Sequence, residues 1–135
     1  MIVNRAELEE KYFLLDFDHT FLAASLKEEA LLFGITSQSQ LLEPVVEYFR
    51  TFKPDFLASY PIDKLSGGEN AILAVIFYAS LAVHKNKSIH FLLHNIMESL
   101  SLTNRKHLNR LLSEFHQQGL KFSTLKNDLP VALYE

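Results

Sequence analysis

The sequence contains no cysteine, which excludes disulfide bonds and thiolate chemistry and fits a reducing compartment. It also lacks any block of lysine or arginine, and its formal net charge is -3. A chain without a basic patch is not expected to bind nucleic acid directly. The N-terminal stretch has no apolar core like that of a signal peptide, and no apolar run approaches the roughly 18 residues of a membrane span. We therefore expect a cytoplasmic protein without a membrane span.

Glycine is scarce as well, yet two of the four glycines, Gly67 and Gly68, stand side by side. They follow Ser66, a good helix cap, and precede a run that is apolar nearly all round. The pattern predicts a buried helix over 67–85. Glycines at the start of such a helix suggest that another group approaches the backbone closely.

The composition predicts a packed globular protein. Of 135 residues, 48% are hydrophobic and 12% are aromatic, which is enough for one hydrophobic core but short for two. We expect a single domain over 1–135. Residues 1–60 would form an N-terminal strand and a helical region, and residues 61–135 would form a C-terminal lobe.

The first half of the chain alternates element types. Residues 11–17 have the apolar character of a strand, and residues 20–34 have helical spacing that stops at Gly34. A second helix is predicted over 36–52, and residues 53–64 form a loop with a short helical turn. Thr36 or Ser37 could cap that second helix, and Pro44 would break or kink it.

The second half predicts a crossover unit. Residues 87–95 form a short apolar run, as in a strand buried on both faces of a parallel sheet. An amphipathic helix follows over 101–119 and ends at Gly119, and residues 120–125 form another strand. Residues 127–135 would be a short tail. Strand, helix and strand in this order predict an α/β fold with a short parallel sheet and flanking helices, the two strands being parallel neighbours.

A family resemblance emerges from this order of motifs. The features that carry the resemblance are, in order, the segment LSGGE (65–69), a buried helix, an apolar strand, an amphipathic helix ending in QG, a strand and then ND. With these features the second half of the chain resembles the C-terminal lobe of an ABC-type ATPase head. Within that superfamily the chain is most similar to the SMC-like and DNA-repair ATPases with coiled coils. The resemblance covers residues 63–135 and extends only loosely over 18–60. It implies a partial P-loop NTPase-like fold.

The resemblance also implies a role for the signature residues Ser66, Gly67, Gly68 and Glu69. In that family the signature lies at a helix N-terminus and faces the γ-phosphate of a nucleotide held by the opposite subunit. Free N–H groups and the helix dipole attract the anion there. The alternative is that Ser66 is only a cap and the glycines are only a tight turn. An aspartate at Gly68 is expected to leave the fold stable, because a helix's first turn tolerates acidic residues.

Several positions depart from the family's catalytic pattern. The chain has no glycine-rich Walker A loop ending in lysine and serine or threonine. His94 and Asn95 stand where Walker B carboxylates are expected, and Glu98 is a weak substitute. Ser101 replaces the D-loop aspartate, and Leu125 replaces the switch histidine.

These departures imply a domain that is not an enzyme and binds no cofactor on its own. Phosphoryl transfer needs positioned metal, lysine and polarising groups. Any ATP and Mg²⁺ would be shared with a protein partner that has an intact Walker A motif, or within a homodimer. A retired ATPase fold kept as an interaction module is the other version of this role.

The histidines offer a weaker signal. His84, His90 and His94 cluster around one predicted strand, and the even spacing of the last two places them on one face. Without cysteine or a carboxylate at ligand spacing, zinc is disfavoured. We expect packing or surface histidines and no metal site.

An enzymatic alternative comes from the N-terminal half. FLLDFDHTFL (13–22) matches the first motif of haloacid-dehalogenase-like phosphatases, with Asp16 as nucleophile, Asp18 as acid and base, and Thr20 following. Ser123 or Thr124 could pass for the second motif, but the chain after them has no room for the required lysine and acidic pair. A strand end with two solvated aspartates is the preferred interpretation.

Overall fold

The structure is a computed structural model that describes residues 12–16, 21–36, 40–94, 100–126 and 129–133. These residues form a mixed α/β fold, with strands and helices along the chain and a short 3₁₀ helix at Ile62–Lys64. The strands are β1 (Phe13–Asp16), β2 (His90–His94), β3 (Lys121–Lys126) and β4 (Leu129–Ala132). The helices are α1 (Leu26–Leu32), α2 (Leu42–Phe49), α3 (Gly67–His84) and α4 (Leu102–Gln117).

The strands form one four-stranded sheet in the order β1-β2-β3-β4. The β1–β2 and β2–β3 pairs are parallel, with Phe91 opposite Phe13 on one side and Phe122 on the other. The predicted parallel pairing of the strands on either side of the amphipathic helix is therefore confirmed. The α4 helix provides the crossover between β2 and β3.

The C-terminal tail differs from the prediction, because Leu129–Ala132 forms strand β4. It pairs antiparallel with β3, and Pro130 lies opposite Leu125. Proline lacks an N–H donor and is tolerated in an edge strand, where one side of the backbone needs no ladder hydrogen bond. The sheet is therefore mixed rather than purely parallel.

Helices α3 and α4 pack on the same face of the sheet. In a strand, alternate side chains point to opposite faces, and one set joins the hydrophobic core. The apolar positions of α4 belong to that same core, and α4 also contacts α3 and β3. The sheet contributes Leu15, Phe91, Leu93 and Phe122 to this core.

The first two helices begin later than predicted. The α1 helix starts at Leu26, where the Ser25 hydroxyl accepts a hydrogen bond from Glu28 N, and the turn that follows it contains Gly34 with a φ of 77°. The α2 helix starts at Leu42, so Thr36 is not its cap, and Ser37 lies outside the described residues. Pro44 does not kink α2, because it lies in the first turn, where the missing N–H would have no partner inside the helix.

Glu29 is a fully buried carboxylate that sequence patterns did not indicate. Its Oε1 accepts hydrogen bonds from Leu22 N and Ala23 N, each at 2.8 Å, and its Oε2 accepts one from the Tyr78 hydroxyl at 2.5 Å. Burial, and then the hydrogen bond and charge of Glu29, raise the pKa of Tyr78 far above its usual value. These bonds connect the segment after β1 to α1 and α3.

By length and composition alone, with a mean hydropathy of 1.2, the α3 helix could cross a membrane, contrary to the expectation from the sequence that no segment could. It is 67% buried inside the protein, and the core helix of a globular domain shares these properties.

Candidate functional site

The candidate site is the edge of the sheet at which β1, β2 and β3 all end, here called the carboxyl edge. Parallel strands end on the same side, which places Asp16, His94 and Leu125 along it. The α3 helix runs back across the sheet and connects to the start of β2 through residues 85–89, so its N-terminus lies at the carboxyl edge. The α4 helix also starts there. In open α/β sheets ligands bind at this edge.

A capping box forms at the N-terminus of α3, so the prediction that Ser66 caps this helix is confirmed. The Ser66 hydroxyl accepts a hydrogen bond from Glu69 N at 3.1 Å, and Glu69 Oε1 accepts one from Ser66 N at 2.9 Å. The carboxylate of Glu69 thus folds back onto the helix start, and Lys53 Nζ lies 3.9 Å from its other oxygen. Two of the signature side chains have structural roles of their own.

Gly67 is the open position of the signature. It is exposed, and no heavy atom of the described residues lies within 4 Å of where its Cβ would be. The N–H groups of Gly67 and Gly68 are the first two of α3, and neither has a hydrogen-bond partner among the described residues. The helix dipole adds a partial positive charge at this point.

Gly68 has different surroundings, because it is buried against the start of α4. A Cβ there would lie 2.8 Å from Asn104 Nδ2 and 3.2 Å from Leu100 Cδ2. The missing side chain allows the first turns of α3 and α4 to approach each other. Asn104 and Leu100 were missed as neighbours of the signature because nothing local in the sequence relates them to Gly68.

The remaining predicted positions are spread along the carboxyl edge. Ser101 caps α4 and accepts a hydrogen bond from Asn104 N at 3.2 Å. His94 ends β2, is half-buried and lies opposite Asp16 in the strand register, while Leu125 lies opposite Pro130. The predictions for Asn95, Glu98, Asp18 and Thr20 lie outside the described residues.

The histidines lie in separate environments. His84 is exposed at the end of α3, whereas His90 Nε2 lies 2.6 Å from Ser123 Oγ, and the Tyr12 ring packs edge-on against His90. Burial, and then the positive charge of Lys121, lower the pKa of His90. Within the described residues no three histidines or carboxylates come together in a way that could hold a metal ion.

The strand order separates the predicted phosphatase residues. Asp16 ends β1 and Thr124 lies on β3, with β2 between them, so their backbones are about 9.5 Å apart at the usual strand spacing. Ser123 is only 1% exposed and is hydrogen-bonded to His90, and the Thr124 hydroxyl donates to Leu93 O at 3.3 Å. The described geometry therefore does not bring the candidate second motif to Asp16.

Comparison with known proteins gives no assignment. No model of a known protein family matches the chain, and no curated protein matches its sequence.

Proposed function

We propose that this protein is a non-catalytic, SMC-like ABC ATPase-type domain that presents its signature to ATP held by a partner chain. The observation that carries the proposal is the exposed start of α3 at the carboxyl edge, where Gly67 is open and the first two N–H groups have no partner among the described residues. Such a helix start suits a phosphate group.

The proposed contact uses the backbone more than the side chains. The N–H groups of Gly67 and Gly68 would donate to the terminal phosphate, and the Ser66 hydroxyl, which already accepts from Glu69 N, still has a proton to donate. The Glu69 carboxylate opposes an anion here, but Lys53 Nζ, 3.9 Å away, offsets part of its charge.

The nucleotide must come from another chain. This sequence has no glycine-rich loop ending in lysine and serine or threonine, and β2 ends in His94, which supplies no carboxylate for Mg²⁺. We propose a partner that binds ATP on its own glycine-rich loop and closes over the carboxyl edge.

A second candidate is an interaction module that does not contact nucleotide. One observation favours it: the capping box accounts for Ser66 and Glu69, and packing against α4 accounts for Gly68, so that three of the four signature residues need no ligand.

The test compares substitutions at the open position. Tagged wild-type protein, Gly67→Ala and Gly67→Asp are used to capture partners from lysate of the source cells, with and without Mg²⁺ and a non-hydrolysable ATP analogue. We expect nucleotide-dependent capture of a chain with a glycine-rich loop by wild type and Gly67→Ala. Gly67→Asp should lose that capture, because its carboxylate repels the phosphate.

No heavy atom of the described residues would contact either new Cβ, so neither variant should melt below the wild-type temperature. Capture that is independent of nucleotide and unchanged in Gly67→Asp would support the interaction module instead. Absence of any captured chain with a glycine-rich loop would overturn the proposed function.

A further inference from the structure

A cavity lies at the other end of the parallel strands, far from the signature. It has a volume of about 260 Å³ and is enclosed by the end of α1, the last turns of α3 and the starts of β1 and β2. We call it the lysine-rimmed pocket. Its apolar walls include Phe13, Phe33, Tyr78, Leu81, Ile89 and Phe91, and its rim includes Lys85 and Lys87.

The walls are held in place by contacts between aromatic rings. The Phe13 ring centroid lies 5.2 Å from that of Tyr78 and 5.4 Å from that of Phe91, and Phe33 packs edge-on against Tyr78 at 5.8 Å. The Tyr78 hydroxyl is already bonded to Glu29, so this residue presents its apolar ring to the pocket. Phe13 remains 37% exposed, and an apolar ligand would cover it.

The rim of the pocket is positively charged, because Lys85 and Lys87 lie there and both are exposed to solvent. Among the described residues, no acidic side chain lines the pocket. Lys85 Nζ makes one long contact, 3.4 Å, with Phe33 O, and Lys87 is exposed.

The two ammonium groups are not needed to cap α3. The last carbonyl groups of the helix accept backbone hydrogen bonds: Leu81 O from Lys85 N, and Ala82 O from Lys87 N, both at 3.0 Å. Apart from the long contact of Lys85 Nζ with Phe33 O, the two lysine side chains are therefore available to an anion at the mouth of the pocket.

We propose that this pocket binds a medium-chain carboxylate, with the apolar chain against the aromatic walls and the carboxylate beside Lys85 and Lys87. A methylene occupies about the volume of a water molecule in the liquid, about 30 Å³, so the pocket accommodates roughly eight of them. Octanoate, whose chain has about this volume, is the probe. This site is independent of the signature and of the proposed partner ATPase.

Calorimetric titration of the full chain with octanoate, octanol and octylammonium tests the charge requirement. These ligands share one chain and differ in the charge of the head group. We expect octanoate to bind most tightly and octylammonium most weakly. Equal affinity for octanoate and octanol, or no binding of octanoate at millimolar concentration, would overturn the proposal.

Variants locate the site. Lys85→Gln and Lys87→Gln should each weaken octanoate binding roughly two- to fivefold, the range expected for exposed ion pairs, and should leave octanol unchanged. Lys106→Gln, an exposed lysine on α4, is the matched control and should change neither affinity. If Lys106→Gln weakens binding as much as the rim variants, the carboxylate binds elsewhere and the assignment fails.

Filling the pocket gives an independent readout. Ala82 is nearly buried and lines the cavity, so Ala82→Leu should weaken octanoate and octanol alike by about tenfold or more. Should this variant unfold, the rim variants, whose substitutions are on the surface, still decide the outcome.

Discussion

Gly67 and Gly68 are neighbours in the chain whose surroundings differ completely. In the part of the chain that the structure describes, no heavy atom lies within 4 Å of a Cβ placed at Gly67, whereas a Cβ at Gly68 would meet Asn104 and Leu100. Successive helix residues point about 100° apart, so one residue of the signature lies on the surface and the next lies between two helices. The two glycines therefore have separate physical reasons, an open helix start and a close helix–helix approach.

This difference changes the expectation for aspartate at Gly68. Gly68→Asp should lower the free energy of unfolding by about 1–3 kcal/mol, because its Cβ must displace the Asn104 amide and the Leu100 methyl group. Gly67→Asp is the matched control, and it should be neutral or stabilising by up to about 1 kcal/mol through the helix dipole. Chemical denaturation of both variants measures the difference, and equal stabilities would contradict the close packing of α3 on α4.

The sequence predicts the helix cap of α3 better than it predicts the contact between Gly68 and Asn104. Ser66 and Glu69 have the spacing of a capping box, which depends only on a helix's own first turn, and the structure contains both of its hydrogen bonds. Asn104 belongs to a different helix and meets Gly68 only after α3 and α4 have packed. Glu29 was missed for the same reason, because its partner Tyr78 comes from another helix.

Among the elements, the longer ones with continuous or periodic apolar residues were predicted, whereas the short strand β4 and the starts of α1 and α2 were not. The α3 helix, β2, α4 and β3 have continuous or periodic apolar residues, and burial of those residues determines where the elements form. The β4 strand has only four residues and contains Pro130, and a proline within an apolar run argues against a strand. The start of α2 was missed because Leu41, at its N-cap, makes no side-chain cap hydrogen bond that a sequence could signal.

The pairing of β2 with β3 predicts a pH dependence. His90 on β2 is bonded to Ser123 on β3, and its pKa is lowered by burial and then by Lys121. A lowered pKa means that the folded state favours the neutral form of His90. The stabilisation of the folded state is therefore fully present above the pKa of His90 in the unfolded chain, about 6.5. It is lost as the pH falls through the pKa of His90 in the folded state. We expect the free energy of unfolding to decrease on acidification below about pH 6.5.

The control for this dependence is His90→Gln, whose free energy of unfolding should decrease less than that of wild type between neutral and acidic pH, because the titrating ring is absent. In an NMR titration, Lys121→Gln should move the pKa of His90 back toward its ordinary value, because the neighbouring positive charge is removed. An unchanged pKa in Lys121→Gln would show that Lys121 does not act on this ring.

Across the molecule, one core cluster includes residues from Leu15 to Phe122, and α3 lies at its centre. This arrangement explains why the α/β architecture follows from the sequence while the function does not. Packing of the core requires only apolar residues at regular spacing, whereas a functional site requires particular side chains at a particular place in the fold. One fold therefore supports many activities. We propose the carboxyl edge as the place of that site in this protein.

The purified chain alone should neither hydrolyse ATP nor bind it with micromolar affinity. It lacks the glycine-rich loop that holds the phosphates, and β2 ends in His94 rather than a carboxylate that could hold Mg²⁺. Calorimetry with Mg²⁺-ATP measures this, and a micromolar site would contradict the need for a partner chain.

The same preparation tests the phosphatase alternative with a generic phosphomonoester and Mg²⁺. We expect no turnover, because β2 separates Asp16 from Thr124, and turnover that Asp16→Asn abolishes would establish the phosphatase instead.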